Sequence, residues 1–310
     1  MERQFLASFI LSAAAIAAFV FGVNLYIDPY ARWARPSADD MLVDVDGFDR
    51  TPAYTLNRRL FKLIAFERWA AGSANGGLSI LVGDSTINQV DAGELTWRTN
   101  QPWYNLAYGG AGLDETIDLV EYVIENHDVE EIVWGLPFNR FISGAPNDIP
   151  RTIEMAISPI RHMMTIESLE ASYLVLRTNW FGIEFNDPRL DTGDEDIVTY
   201  QLSRSRAEIA GRPWPAGLVR RLDAMIRRAE RRGVEVVVFC PPVHPRTQAM
   251  YEVEFPGRYV RYLNLMSAYD AIDLNDPEHR ADWPAELFAD SNHLHEVYKP
   301  RLVRELAGLM

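Results

Sequence analysis

"LSILVGDSTINQVD", residues 78–91, is the stretch on which the reading of the fold turns. Leu78 to Val82 is a short, mostly apolar run that stops at Gly83-Asp84-Ser85, and a polar segment follows. Such a run, ended by turn residues, reads as a buried strand. The serine at its end has two readings. Gly, Asp and Ser are ordinary turn and N-cap residues, so Ser85 can simply open the next helix. A serine delivered to the end of a strand is also a presented nucleophile. Only partners elsewhere in the chain can separate the two.

Working outward, "WYNLAY" is a second short extended run that ends in Gly109-Gly110. In "LDETIDLVEYVIEN", Leu113, Ile117, Val120 and Ile124 recur at helical spacing, with acids in the first turn. "EEIVWGLP" reads as a third strand, "VEVVVFCPPV" as a fourth and "YDAIDLND" as a fifth. A patch from Leu60 to Trp69 and a segment from Tyr298 to Leu309 read as helices, Pro300 being tolerable only in a first turn. Strands alternating with helices predict an α/β fold with a mainly parallel sheet. Residues 140–215 break the rhythm: "SPIRHMM" and "TIESLEASYLVLRTN" look helical, and "NDPRLDTGDEDIVTY" looks like an acidic loop. The expected organisation is an anchor over 1–27, a connector and leading helix over 28–77, and one domain over 78–310 with an insertion at 140–215.

The chain has 310 residues, 48% of them hydrophobic and 24% charged, which describes a folded protein. A formal net charge of −14 argues against a nucleic-acid partner, because phosphate binding needs a basic face. The arginines of "VRRLDAMIRRAERRG" read as a solvated helix face, since Leu218, Leu222, Ile226 and Ala229 form the apolar stripe. Cys240 is the single cysteine, so there is no disulfide framework, and it reads as a core residue. Phe5 to Tyr26 carries no charge and is long enough to span a bilayer. A cleaved signal peptide is the rival reading. The apolar run, however, continues through Phe19, Val20 and Phe21 with no clean cleavage site after it, so an uncleaved anchor is favoured. Arg3 precedes the span while Arg32 and Arg35 follow it, so charge counting does not orient it.

Chemistry in an open α/β sheet collects beyond the carboxyl ends of the strands. There the chain offers Ser85, then Asn105 with Gly109 and Gly110, then Asn139, and finally Asp290 three residues before His293. Acyl transfer through a serine needs those parts: a base, an acid that orients the base, and donors for the oxyanion. Asp84 reads as a structural hydrogen-bonder beside the nucleophile. His293 and His295 would share a face with Asp290 on an extended segment and could hold a metal. No further His or Cys completes that site, so neither metal nor cofactor is expected. His127, His162, His244 and His279 read as structural or exposed. Trp33, Trp134, Trp180, Trp214 and Trp283 read as scattered packing or surface residues rather than as a sugar-binding cleft.

Four blocks together, "GDS" at 83–85, "NLAYGGAG" at 105–112, "GLPFN" at 135–139 and "DSNH" at 290–293, resemble the SGNH (GDSL-like) hydrolase superfamily. The resemblance implies a flavodoxin-like three-layer fold. It implies Ser85 as nucleophile, His293 as base and Asp290 as its acid. The Ser85 backbone, Gly109 or Gly110, and the Asn139 side chain would form the oxyanion hole. Thr86 stands where the family usually has Leu, and Asn139-Arg140 replaces the common Asn-Asp. With the anchor and "NLYIDPYARW", the chain is similar to the membrane-anchored extracytoplasmic members of the AlgJ/AlgX and DltD types. That similarity implies a single-pass protein of the cytoplasmic membrane with its domain facing the periplasm or cell exterior. The bilayer would be contacted through residues 5–26, and a polysaccharide or acylated glycan would be the substrate. A membrane-bound O-acyltransferase would be the partner. Two functions stay open: an acyltransferase or esterase using the triad, or a non-catalytic partner that positions donor or glycan.

Overall fold

Leu78–Val82 forms β1, and all five of its residues are buried. The other strands are β2 (Trp103–Asn105), β3 (Val129–Gly135), β4 (Glu235–Cys240) and β5 (Ile272–Asp273). The computed structural model describes residues 2–30, 32–33, 56–73, 77–142, 147–181 and 196–310. Its helices in chain order are α1 (Glu2–Ile27), α2 (Arg58–Gly72), α3 (Ser85–Asn88), α4 (Ala92–Thr99), α5 (Leu113–Asn126), α6 (Ile149–Ile157) and α7 (Pro159–Met163). They continue as α8 (Ile166–Phe181), α9 (Ile197–Gly211), α10 (Ala216–Arg231), α11 (Pro245–Glu254), α12 (Pro256–Ala268) and α13 (Lys299–Leu309).

The strands pair in the order β2-β1-β3-β4-β5, every pair parallel. Alternate residues feed the two faces. Leu81, Val133 and Phe239 share one core with Leu95 of α4 and with Leu302, Val303 and Leu306 of α13. Ile80, Ile132 and Val238, one residue out of step, are buried as well. A sheet covered on both faces explains why its strands read as continuous apolar runs. The strand order reverses between β1 and β3, so the crevice beyond their carboxyl ends is the position for a site in such a sheet. Cys240 is buried and accepts from the Tyr262 hydroxyl at 3.0 Å. The arginines of α10 are not merely solvated: Arg221 reaches Asp118 at 2.5 Å and Arg228 reaches Glu121 at 2.5 Å, both on α5.

The chain divides into two compact units, Met1–Gly72 with Pro150–Asp187, and Ser73–Ile149 with Pro188–Met310. The expected insertion at 140–215 falls partly in the first of these units and partly in the second. Residues 150–187 group with the N-terminal part because polar side chains of that part bind their backbone. Asn24 donates to Met163 O at 2.8 Å and accepts from the Ser172 hydroxyl at 2.7 Å. Arg32 donates to Ala156 O at 2.6 Å and to Met155 O at 3.0 Å. The last part of the expected insertion stays with the sheet. Ile197–Tyr200, expected to be loop, begins α9, and the Asp196 carboxylate caps it by accepting from Val198 N at 3.1 Å. Most of the expected connector (34–55) and the acidic stretch 182–195 lie outside the described residues. Gln4–Ile27 is long and apolar enough to cross a membrane.

Candidate active site

The polar segment after β1 folds as a single helical turn, α3, whose N-cap is Asp84 and not Ser85. The Asp84 carboxylate accepts from Thr86 N at 2.9 Å and from Thr86 Oγ1 at 2.5 Å, and Arg140 Nε donates to its second oxygen. Burial alone would raise this carboxyl. The Arg140 cation and the Thr86 hydrogen bonds outweigh burial and hold it below the ordinary value. Thr86 and Arg140 are therefore both partners of one buried aspartate.

With the cap filled by Asp84, the Ser85 side chain is released from that task. Ser85 is half-buried, and among the described residues neither its hydroxyl nor its N–H is hydrogen-bonded. The turn of helix beneath it is locked onto the sheet. A Cβ on Gly83 would meet Ile87 Cγ1 at 2.6 Å, and one on Gly135 would overlap the same side chain. Only glycines at the ends of β1 and β3 let Ile87 seat between them. Asn105 Nδ2 donates to Ile87 O at 2.9 Å and to Val90 O at 2.8 Å, which makes Asn105 a clamp on the far end of α3.

Gly109 and Gly110 occupy a turn closed by Ala111 N donating to Tyr108 O at 3.3 Å, with Gly110 at φ +83°. Tyr108 N donates to Gly83 O at 3.4 Å, which ties that turn to the end of β1. Gly109 is half-buried and Gly110 exposed; among the described residues neither N–H has a protein acceptor. Asn139 lies in a 3-10 turn (Phe138–Phe141) after β3. Its Oδ1 is buried and, among the described residues, has no hydrogen-bond partner. Among the described residues, Ser85 N, Gly109 N, Gly110 N and Asn139 Nδ2 are therefore donors without a recorded acceptor beyond the adjacent ends of β1, β2 and β3.

Asp290 and His293 form a tight unit. His293 Nδ1 lies 2.7 Å from Asp290 Oδ2, and Asp290 Oδ1 accepts the backbone N–H of Asn292 at 2.8 Å and of His293 at 2.9 Å. Burial lowers the basicity of His293, but its bond to Asp290 and the charge of Asp290 outweigh that and raise its pKa. The Asp84 charge adds to the rise and Arg140 opposes it. Burial likewise works against ionised Asp290, yet the bonds from His293, Asn292 and Gln201 bring it down to about 2. Asp84 and Arg140 both act on His293, so the imidazole stands in the field of the α3 N-cap. Gln89 makes the mechanical link: its Oε1 accepts from Leu294 N at 2.7 Å and its Nε2 donates to Thr86 O at 3.1 Å. Ser85 Oγ and His293 are not hydrogen-bonded to each other.

Two positioning residues have no sequence motif. Gln89 lies four residues after Ser85, inside the stretch 78–91. Gln201 of α9 donates to Asp290 Oδ2 at 3.2 Å and accepts from Ser291 N at 2.9 Å. His295 is exposed, and among the described residues no group of three or more His, Cys, Asp or Glu is placed to hold a metal ion. His244 caps α11 by accepting from Arg246 N at 3.1 Å, and His279 lies 2.9 Å from Asp276. Trp134 and Trp283 are core residues, Trp214 stacks on Phe141, Trp33 is exposed, and the Trp180 side chain lies outside the described residues. Comparison with protein-family models, with curated proteins and with solved structures finds no match to this chain.

Proposed function

We propose that the sheet-bearing unit is an SGNH-type acyltransferase or esterase acting on a cell-envelope or exported polysaccharide, with Ser85, His293 and Asp290 as its triad. The observation that carries this reading is the Asp290–His293 pair, which Gln89 joins to the very turn of helix that starts with Ser85, a serine without a hydrogen-bond partner among the described residues. In the reaction His293 Nε2 takes the proton as Ser85 Oγ bonds to the acyl carbonyl carbon. The carbonyl oxygen becomes an oxyanion received by Ser85 N, Gly109 N and Asn139 Nδ2. Collapse breaks the bond to the leaving alcohol, which takes the proton back from His293 and leaves acyl-Ser85. A sugar hydroxyl or water then attacks, giving its proton to His293, and the product forms as Ser85 is regained.

In this proposal α1 anchors the chain once in the cytoplasmic membrane, with the sheet-bearing unit on the periplasmic or outer side. Its apolar span Gln4–Ile27, 24 residues long, supports a crossing, since about 20 suffice for a bilayer core. The lack of a Ser85–His293 hydrogen bond favours a second reading: the unit is a non-catalytic partner that positions an acyl donor or glycan for a membrane-bound O-acyltransferase. The two readings separate on the purified full chain. A catalyst releases acetate from a small activated ester, loses this by several orders of magnitude on Ser85→Ala, and yields acetylated sugar when given an oligosaccharide acceptor if it is a transferase. An inert wild type whose Ser85→Ala variant still supports polysaccharide acetylation in cells leaves the scaffold reading standing.

A further inference from the structure

The unit formed by Met1–Gly72 and Pro150–Asp187 carries a cluster of apolar side chains that stand exposed among the described residues. Ile157, Ile160, Met164 and Ile166 fall within ten residues, and Ile160 is 71% and Ile166 84% exposed. Tyr173, further along α8, is 61% exposed. Scattered apolar residues on a surface are ordinary, but four in so short a stretch mark a contact surface.

The place where this stretch joins α1 identifies what covers it. The Met163 carbonyl at the end of α7 accepts from Asn24, and Ser172 of α8 donates to the same side chain. Asn24 is three residues before Ile27, the end of the apolar span, which is about 4–5 Å at the helical rise. From Ser172, α8 runs back alongside α1. Leu176, one turn on, borders an apolar groove of about 380 Å³ with Ala18, Phe19, Gly22, Val23 and Tyr26, residues on the span side of Asn24 or beside it. The uncovered residues are therefore fixed to α1 at the level where an apolar span meets the head groups.

We propose that α7 with its flanking turns, and the start of α8, lie in the head-group region of the bilayer that α1 crosses, as a second and interfacial membrane contact. Exposed Ile and Met side chains are those that bury in the upper acyl region, and a tyrosine at that level is a usual interfacial residue. Lipid is the occupant because the attachment at Asn24 sets these residues at lipid depth before any protein partner arrives. The proposal rests on the reading of α1 as a spanning helix. With that reading, the unit has its tilt set by two elements rather than swinging on one.

The test uses the full chain with single cysteines introduced at Ile16, Ile160 or Ile166. The native Cys240 is buried, so a thiol-reactive fluorophore labels the added site. Each labelled protein is reconstituted in vesicles of phosphatidylcholine and phosphatidylglycerol with nitroxide-bearing lipid. We expect labels at 160 and 166 to be quenched several-fold by nitroxide near the top of the acyl chain and shielded from aqueous iodide. The label at 16 should be quenched by nitroxide placed deep in the chain. Labels at 160 and 166 open to iodide and untouched by nitroxide, with the label at 16 still quenched, overturn the interfacial contact and leave the anchor standing. A surface reserved for a protein partner would give that same result. An unquenched label at 16 overturns the anchor and the inference together.

Discussion

Leu294 donates its backbone N–H to Gln89 Oε1 at 2.7 Å, a buried bond between residues 205 apart in the chain. It joins the helical turn that begins with Ser85 to the segment that carries His293. Gln89→Leu leaves that N–H buried and unpaired, at a cost of about 1–3 kcal/mol of stability. If the proposed triad operates, loosening the base by an ångström lowers kcat by up to about 10²-fold with little change in KM. Steady-state kinetics beside a denaturation curve check this. An unchanged kcat in a destabilised but folded variant would mean that the bond is structural only.

The ionisation of the Asp290–His293 pair predicts the pH profile. A base must be neutral to act, and Asp290 raises the pKa of His293, so the acid limb of kcat/KM should lie above the ordinary histidine value. Asp290→Asn removes that support, so the limb should move to lower pH while the maximal rate falls. The same pair affects stability with opposite signs. Asp290, held at about 2, contributes stability that is lost as pH falls from about 4 through about 2. His293, raised, contributes stability that is lost as pH climbs through its folded value. A rate profile whose limb does not move in Asp290→Asn counts against His293 as the base.

The buried pair of Asp84 and Arg140 should behave as a unit. Arg140→Met strands a fully buried carboxylate, and breaking such a pair costs about 3–5 kcal/mol. The double variant Asp84→Asn/Arg140→Met removes the stranded charge and should recover part of the loss. Chemical denaturation of wild type, single and double variants measures it. Equal destabilisation in single and double would show that packing, not charge, sets the effect.

At the other end of the sheet, Glu131 on β3 is in register with Glu235 on β4. Burial, with the Glu235 charge adding, raises Glu131 from 4.5 to about 7. The folded state then holds a proton that the unfolded state has released, so this group makes the protein less stable as pH rises from about 4.5 to about 7. Glu131→Gln should remove that slope and stabilise the protein at pH 8 by on the order of 1–3 kcal/mol. Thermal melts across this range decide it, and a wild-type slope retained in the variant would point to another group.

Periodicity was enough to read β1, the helix from Leu113 to Asn126 and the apolar span of α1, because each depends on which face or length of the chain must leave water. The same alternation of strands and helices made the sheet parallel in expectation, since parallel strands need crossovers. The Asp290–His293 contact was also legible, being three residues long and local. Other decisions belonged to tertiary structure. That Asp84 also meets a cation was not legible, because Arg140 comes from beyond the end of another strand. Gln89 and Gln201 carry no pattern, because a lone amide becomes a positioning group only when a distant backbone N–H arrives opposite it. The grouping of residues 150–187 with the N-terminal helix was set by Asn24 and Arg32, two side chains that find their carbonyl partners more than a hundred residues away. Local propensity registers burial along the chain, and partners of that kind exist only once the chain has folded.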